Sequence, residues 1–228
     1  MPMTAPDYSW HFTPGNTFSY EEGPTGVLSV ADGGELWLPT GRVVACDPFV
    51  YLGGGDTAPF TAEVAPGRYR VEVAVATLTQ PEEEPEEQSA ATPHRRVAAA
   101  RLVVSDDAPT VSWELALKDG QDPAALGEGE FYGYGVDAGT GCFYDLAADG
   151  AFPDCEGDEG PLWEAFEGAG HAAGAYRVEG EGGHSLVAFS SGWGDGAYPT
   201  WVGRDAEGAI TCFVTDFFVV PTPEETAA

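Results

Sequence analysis

The chain has 228 residues, 43% hydrophobic and 12% aromatic, a globular composition that argues against a disordered chain. Its 38 acidic residues against 9 Lys and Arg give a formal charge of −29, a field that repels nucleic acid and anionic membrane and disfavours bound phosphate. The same field suits cations, basic proteins or neutral small molecules, and it also simply keeps a protein soluble.

Residues 1–25 read as an irregular lead-in whose Trp10, Phe12, Phe18 and Tyr20 pin it to the body. The first residues, MPMTAPDYSW, show neither a basic n-region nor an apolar h-region. No apolar run is long enough to span a bilayer, so the expected setting is the cytoplasm. There Cys46, Cys142, Cys155 and Cys212 are expected to be reduced, and they lack the CxxC spacing of a zinc ribbon.

A single β domain is expected over 26–220. Strand-like runs open at Val27–Val30, Leu36–Leu38 and Val43–Cys46, with Asp32-Gly33-Gly34 and Pro39-Thr40-Gly41 as reversals. In Arg68–Val75 the Tyr and Val residues alternate with Arg, Glu and Ala, which predicts a strand with one buried face. Residues 80–95 are dense in Glu and Pro; they cannot hold a ladder and predict a flexible acidic loop. Strand resumes at Val97–Val104 and Thr110–Leu117. Asp122-Pro123 and Pro161–Glu167 predict two very short helices, the first with Asp as cap and Pro at the first helical position. Phe131–Val136 and Cys142–Leu146 are two more strands. Ser185–Ser190, Ala197–Gly203 and Ala209–Val220 then predict three antiparallel strands, with a four-residue turn at Asp205–Gly208. The tail over 221–228 is expected to be disordered. The predicted class is all-β, a single-domain antiparallel sandwich or distorted barrel.

The stretch Gly135-Val136-Asp137-Ala138-Gly139-Thr140-Gly141 resembles the first phosphate loop of actin-like ATPases and sugar kinases. That loop opens its domain and needs a second phosphate loop; neither condition holds here, and GxxxxGK[ST] is absent. The favoured reading is a tight turn between strands, with Gly139 and Gly141 allowing the reversal. Ser190–Pro199 places three glycines around Trp193 and Asp195, a loop that occurs where backbone approaches a ligand or where a hairpin bulges. A binding pocket built from the two stretches would use Asp137, Thr140, Cys142, Asp145, Trp193, Asp195 and Tyr198. The plainer alternative is a Trp capping the core and an Asp bonding its own turn.

Asp216 sits in an otherwise apolar run and needs a partner, with Arg42, Arg101 and Arg204 available, or a cation. If Asp137, Asp145, Asp195 and Asp216 converge, they form an oxygen-rich site for Mg²⁺ or Ca²⁺ and a metal-assisted hydrolase. Cys142 with His171 or His184 is a further nucleophile–base pairing, without a cysteine-hydrolase signature around it.

Several pieces taken in order carry a family resemblance. They are Pro39–Pro48 (PTGRVVACDP), Pro66–Val71, Arg96–Arg101, Trp113–Ala116, Gly135–Gly141 and Ser191–Pro199 (SGWGDGAYP). Together they resemble the bacterial family domain of unknown function 4241, from about Gly26 to Val219, with 81–87 as an insertion. The resemblance implies one domain, a bacterial cytosolic setting, and family motifs that include Asp47, Asp137, Asp195 and Tyr198. It implies no activity. The reading that results is a non-catalytic binding or interaction module without a cofactor, whose partner is a protein or a neutral or cationic small molecule.

Overall fold

A computed structural model describes residues 1–21, 23–53, 57–79, 94–152, 160–168 and 174–221. Twelve strands lie among the described residues: β1 Thr17–Ser19, β2 Thr25–Leu38, β3 Val43–Cys46, β4 Gly67–Thr79, β5 His94–Val103, β6 Ser112–Leu115, β7 Gly133–Val136, β8 Thr140–Asp145, β9 Ala175–Glu179, β10 Ser185–Ser190, β11 Gly196–Arg204 and β12 Ile210–Asp216. Short helices are α1 Tyr8–His11, α2 Pro48–Tyr51 and α3 Pro161–Gly168. The all-β expectation holds, as a large curled sheet with a second sheet against it.

The large sheet runs β1-β2-β4-β5-β12-β11-β6, and the first half of β11 also pairs with β7. The second sheet runs β3-β8-β10-β9. Every pairing is antiparallel. Val43, Ala45, Phe143, Val187 and Phe189 of the second sheet face the large sheet and join its Leu36, Val71, Val73, Leu102 and Phe213 in one core. The alternate residues Val44, Cys46, Cys142, Tyr144, Leu186 and Ala188 face outward into a second cluster, closed by Phe49 of α2 and Leu162 of α3. With both faces covered, every residue of β8 is buried. That is why TGCFYD shows no clean alternation of apolar and polar residues.

Three readings of the sequence are corrected. Asp32-Gly33-Gly34 does not reverse the chain: β2 passes through it, with the register against β4 shifting between Asp32 and Gly34. The amide of Gly34 bonds Asp32 Oδ1 at 2.9 Å with φ at +91°, and this bulge replaces the turn. At Gly33 an added Cβ would stand 3.0 Å from the Ala175 side chain, so the bulge is also where the two sheets touch. Second, β7 and β8 are not hairpin partners. The chain leaves the large sheet after Val136 and enters the other at Thr140. Third, β10 pairs with β8 and β9 rather than with β11, so the loop from 191 to 195 is a second crossing between sheets. Two strands, β1 and β9, and two short helices, α1 and α2, go beyond the sequence expectation. The helical turns at 123–125 and 161–168 are present, and Asp122 caps the first as predicted. The Glu/Pro loop falls largely outside the described residues, which resume at His94, already in β5; residues 222–228 of the tail lie outside them too.

In the lead-in, Asp7 caps α1, the Tyr8 ring packs edge-on against Trp113, and Phe12 lies beneath the Arg101 guanidinium at 4.1 Å. Tyr8 Oη donates to Asp216 Oδ2 at 2.8 Å, and the Phe218 amide donates to Asp216 Oδ1 at 2.9 Å. Arg42, Arg101 and Arg204 pair instead with Glu63, Glu72 and Glu114. No helix among the described residues is long and apolar enough to cross a membrane.

Candidate functional site

The two inter-sheet crossings meet. The turn from Asp137 to Gly139 and the loop from Ser191 to Asp195 are joined by the Ser191 amide donating to the Gly139 carbonyl at 3.0 Å. The Gly139 amide in turn donates to Asp195 Oδ1 at 3.2 Å. Gly139, Gly192 and Gly194 have φ of +62°, +63° and +108°, values that glycine adopts without Cβ strain. At Gly192 space adds to conformation: a Cβ would meet Val219 at 2.8 Å and Phe217 at 2.9 Å. The glycines therefore serve close backbone packing as the sheets are crossed.

The question raised by the phosphate-loop likeness has a direct answer. The amides of Asp137 and Ala138 both point at Asp47 Oδ2, at 3.0 and 2.7 Å, and Asp47 Oδ1 accepts the Phe49 amide at 3.0 Å. Three successive amides, 137 to 139, thus face carboxylates of the protein itself. The turn is an anion-binding concavity, filled from within by Asp47. Asp47 is fully buried, caps α2 ahead of Pro48, and is held above the ordinary carboxylate pKa by desolvation, against the opposing pull of its three amide bonds.

Around this buried carboxylate lies an exposed rim. Asp137 and Asp195 are both solvent-facing. Tyr51 donates its hydroxyl to Asp137 Oδ2 at 3.2 Å, which raises the tyrosine's pKa. Tyr198 is buried, donates to the Gly194 carbonyl at 2.9 Å, and packs edge-on against Phe217, so it supports the loop from below. Ser191 Oγ donates to the same carbonyl at 2.7 Å. Trp193 projects from the loop 48% exposed, with the Arg96 guanidinium 5.3 Å from its ring and Tyr20 and His94 at its sides. The rim therefore offers two carboxylates and an indole along the two loops, with the Arg96 guanidinium of β5 beside the indole.

Of the residues singled out in the sequence, Asp137, Thr140, Trp193, Asp195 and Tyr198 come together here. Thr140 is buried and turns its hydroxyl to the Ala138 carbonyl at 3.3 Å. Cys142 lies beneath, its thiol against Cys46, and burial pushes that thiol's pKa well up, the opposite of an activated nucleophile. His184 stacks on Trp37, and His171 lies outside the described residues. Asp145 is at the far end of β8, five residues and roughly 17 Å beyond Thr140. Asp216 holds the lead-in. Among the described residues, no three His, Cys, Asp or Glu side chains gather where they could hold a metal ion. Sequence reasoning noted Asp47 but left it out of the pocket, and passed over Tyr51. The Asp-Pro pair opening α2 is the signal that marks Asp47 as a cap.

The chain belongs to the family described as protein of unknown function DUF4241, whose model matches residues 36–215 and so covers both loops and Asp47. No curated protein and no solved structure matches it.

Proposed function

We propose that the protein is a non-catalytic binding module, working without a cofactor in the cytosol, whose recognition surface is the rim of Asp137, Asp195 and Trp193. One observation carries the reading. The amide groups of the turn are spent on Asp47 and Asp195, and what remains outward is two carboxylates and an indole whose ring already carries the Arg96 guanidinium on one side. Such a surface accepts donors and cations rather than anions, and the net charge of −29 draws them in from a distance. The turn and the loop are tied to each other and to Asp47 by hydrogen bonds, which reduces the loop entropy to be lost on association. The fitting partner is a basic protein segment, its guanidinium or ammonium groups on the two carboxylates and its apolar stem on Trp193.

The test is calorimetric titration with a tetra-arginine peptide at 150 mM salt. Because any polycation is attracted to this chain, the decisive control is a charge-matched variant elsewhere, Asp205→Asn with Glu207→Gln. Asp137→Asn with Asp195→Asn should weaken binding about tenfold, which is about 1.4 kcal/mol, and the control less than twofold. Equal weakening by both pairs would reduce the rim to a share of the general field. A melting-temperature rise with Mg²⁺ or Ca²⁺ that Asp137→Asn abolishes would instead make the rim a cation site, the first requirement of the metal-assisted alternative.

A further inference from the structure

Cys46 and Cys142 stand directly opposite each other on β3 and β8, with their Sγ atoms 3.8 Å apart and no bond between them. Both are buried, in the cluster that faces away from the large sheet. Directly opposed residues of an antiparallel pair have Cα atoms about 4.5–5.5 Å apart, within the span of about 4.4–6.8 Å that a disulfide bridges. The side chains already point at one another, so closure asks for a sulfur displacement of roughly 2 Å and no change of register. Moreover, β3 is an edge strand of only four residues in its sheet. Its four residues are nonetheless buried, so a small oxidant reaches the pair only when the strand opens. Cys46, on the edge strand and 2% exposed against 0% for Cys142, is the nearer of the two to solvent.

We propose that Cys46 and Cys142 form a two-electron oxidation site, closed to a cross-strand disulfide by a hydroperoxide. The Cys46 thiolate attacks one peroxide oxygen, the O–O bond breaks, and the other oxygen leaves as water, giving a sulfenic acid. Cys142 then attacks that sulfur, the S–S bond forms, and the sulfenic oxygen departs as a second water. Two thiols and one hydrogen peroxide become one disulfide and two waters. Burial, which holds the Cys142 thiol in its protonated form, makes the site slow and so confines oxidation to moments of strand opening. The bridge would join positions 96 residues apart and restrict the unfolded chain accordingly.

Its place gives the modification a consequence, which rests on the rim reading above. Asp47, the buried anchor of the turn, follows Cys46 directly, and Gly139 lies three residues before Cys142. A disulfide there ties the anchor to the strand that carries the turn.

The experiment treats the full native chain with stoichiometric hydrogen peroxide and follows intact mass, peptide map and melting temperature. The expected result is a loss of about 2 Da, a single linked peptide pair containing Cys46 and Cys142, and a rise in Tm of about 5 °C or more, all reversed by dithiothreitol. The Cys212→Ala chain should behave identically. Linkage through Cys155 or Cys212, a gain of oxygen as sulfinic acid, or a fall in Tm would each overturn the site. So would native thiols that stay reduced while the urea-unfolded chain oxidises. Tetra-arginine affinity measured on both redox forms tests only the link to the rim. If that reading fails, the mass and peptide map still decide the dithiol.

Discussion

The two ends of β8 use one device and differ in what surrounds it. At its carboxyl end, Asp145 is wrapped by the amides of Thr40 and Gly41, both at 3.0 Å, by the Thr40 hydroxyl at 2.7 Å and by the Ala147 amide at 2.9 Å. At its amino end, Asp47 is wrapped by three amides in the same manner. Both carboxylates are fully buried and both tie a loop from one sheet to a strand of the other. The Asp145 knot stops there: its buried donor, the Gly41 amide, comes from a packed turn, where φ is +74° and a Cβ would stand 1.9 Å from the Val64 carbonyl oxygen. The Asp47 knot continues outward into Asp137, Asp195 and Trp193. Amides around a carboxylate are therefore a structural device by themselves, and a functional surface appears only where further groups remain turned to solvent.

The largest way to break the comparison is at the closed end. Asp145→Ala removes the acceptor of four donors, of which the Gly41 amide is buried and the others are partly reached by water, so the cost falls mainly on the buried amide and the lost anchoring of the turn. A net loss of roughly 2–4 kcal/mol should follow, lowering Tm by about 5 °C or more, with tetra-arginine affinity of the remaining folded protein unchanged. A loss of affinity without loss of stability would mean that the two ends are not distinct in role.

Asp47→Ala comes next, at about 2–4 kcal/mol from three unsatisfied amides, and it should also weaken the peptide, because the turn that presents Asp137 loses its anchor. The pH dependence of Asp47 sharpens the distinction further. Its folded-state pKa is raised, so the folded chain holds the proton more tightly than the unfolded chain does. Its contribution to stability is then fully present below the unfolded value near 3.8 and is lost as pH rises through the folded value. Melts from pH 7 downward should show the stability advantage of the wild type over Asp47→Asn growing as that window is entered. An advantage that shrinks on acidification would reverse the sign and with it the dominance of burial over the amide bonds.

How much of this was legible follows from where each signal lives. The alternation of Arg68–Val75 showed β4, because one face of that run is wet. The Asp122 cap and the prolines at 123 and 161, suited to a first helical position, showed short helices, because a helix start is a local matter. Sheet membership is not local. Val136 and Thr140 look like hairpin ends, and only the packing of two sheets sends them apart. Asp-Gly-Gly at 32–34 serves a turn or a bulge equally well, and the long register with β4 decided for the bulge. Strand β9 was missed because its exposure does not alternate. At the site, the meeting of Asp137, Trp193 and Asp195 was anticipated from glycine density. The separation of Asp145 from them was not, since Thr40 and Gly41 reach it from about a hundred residues away.

The smallest expected effect on stability is the one that bears most on function. Asp137 and Asp195 are exposed, and neither is the sole support of a buried donor: Asp195 receives one amide at 3.2 Å, and Asp137 one exposed tyrosine hydroxyl at 3.2 Å. An asparagine keeps an acceptor oxygen in either place while removing the charge. Each substitution should therefore shift stability by no more than about 0.5 kcal/mol, near the edge of detection in a thermal melt. The pair should still lose the peptide, since charge and not folding is what they supply. Should Asp137→Asn or Asp195→Asn instead lower Tm by as much as Asp47→Ala, the outer carboxylates would belong to the knot, and both ends of β8 would then be closed in the same sense.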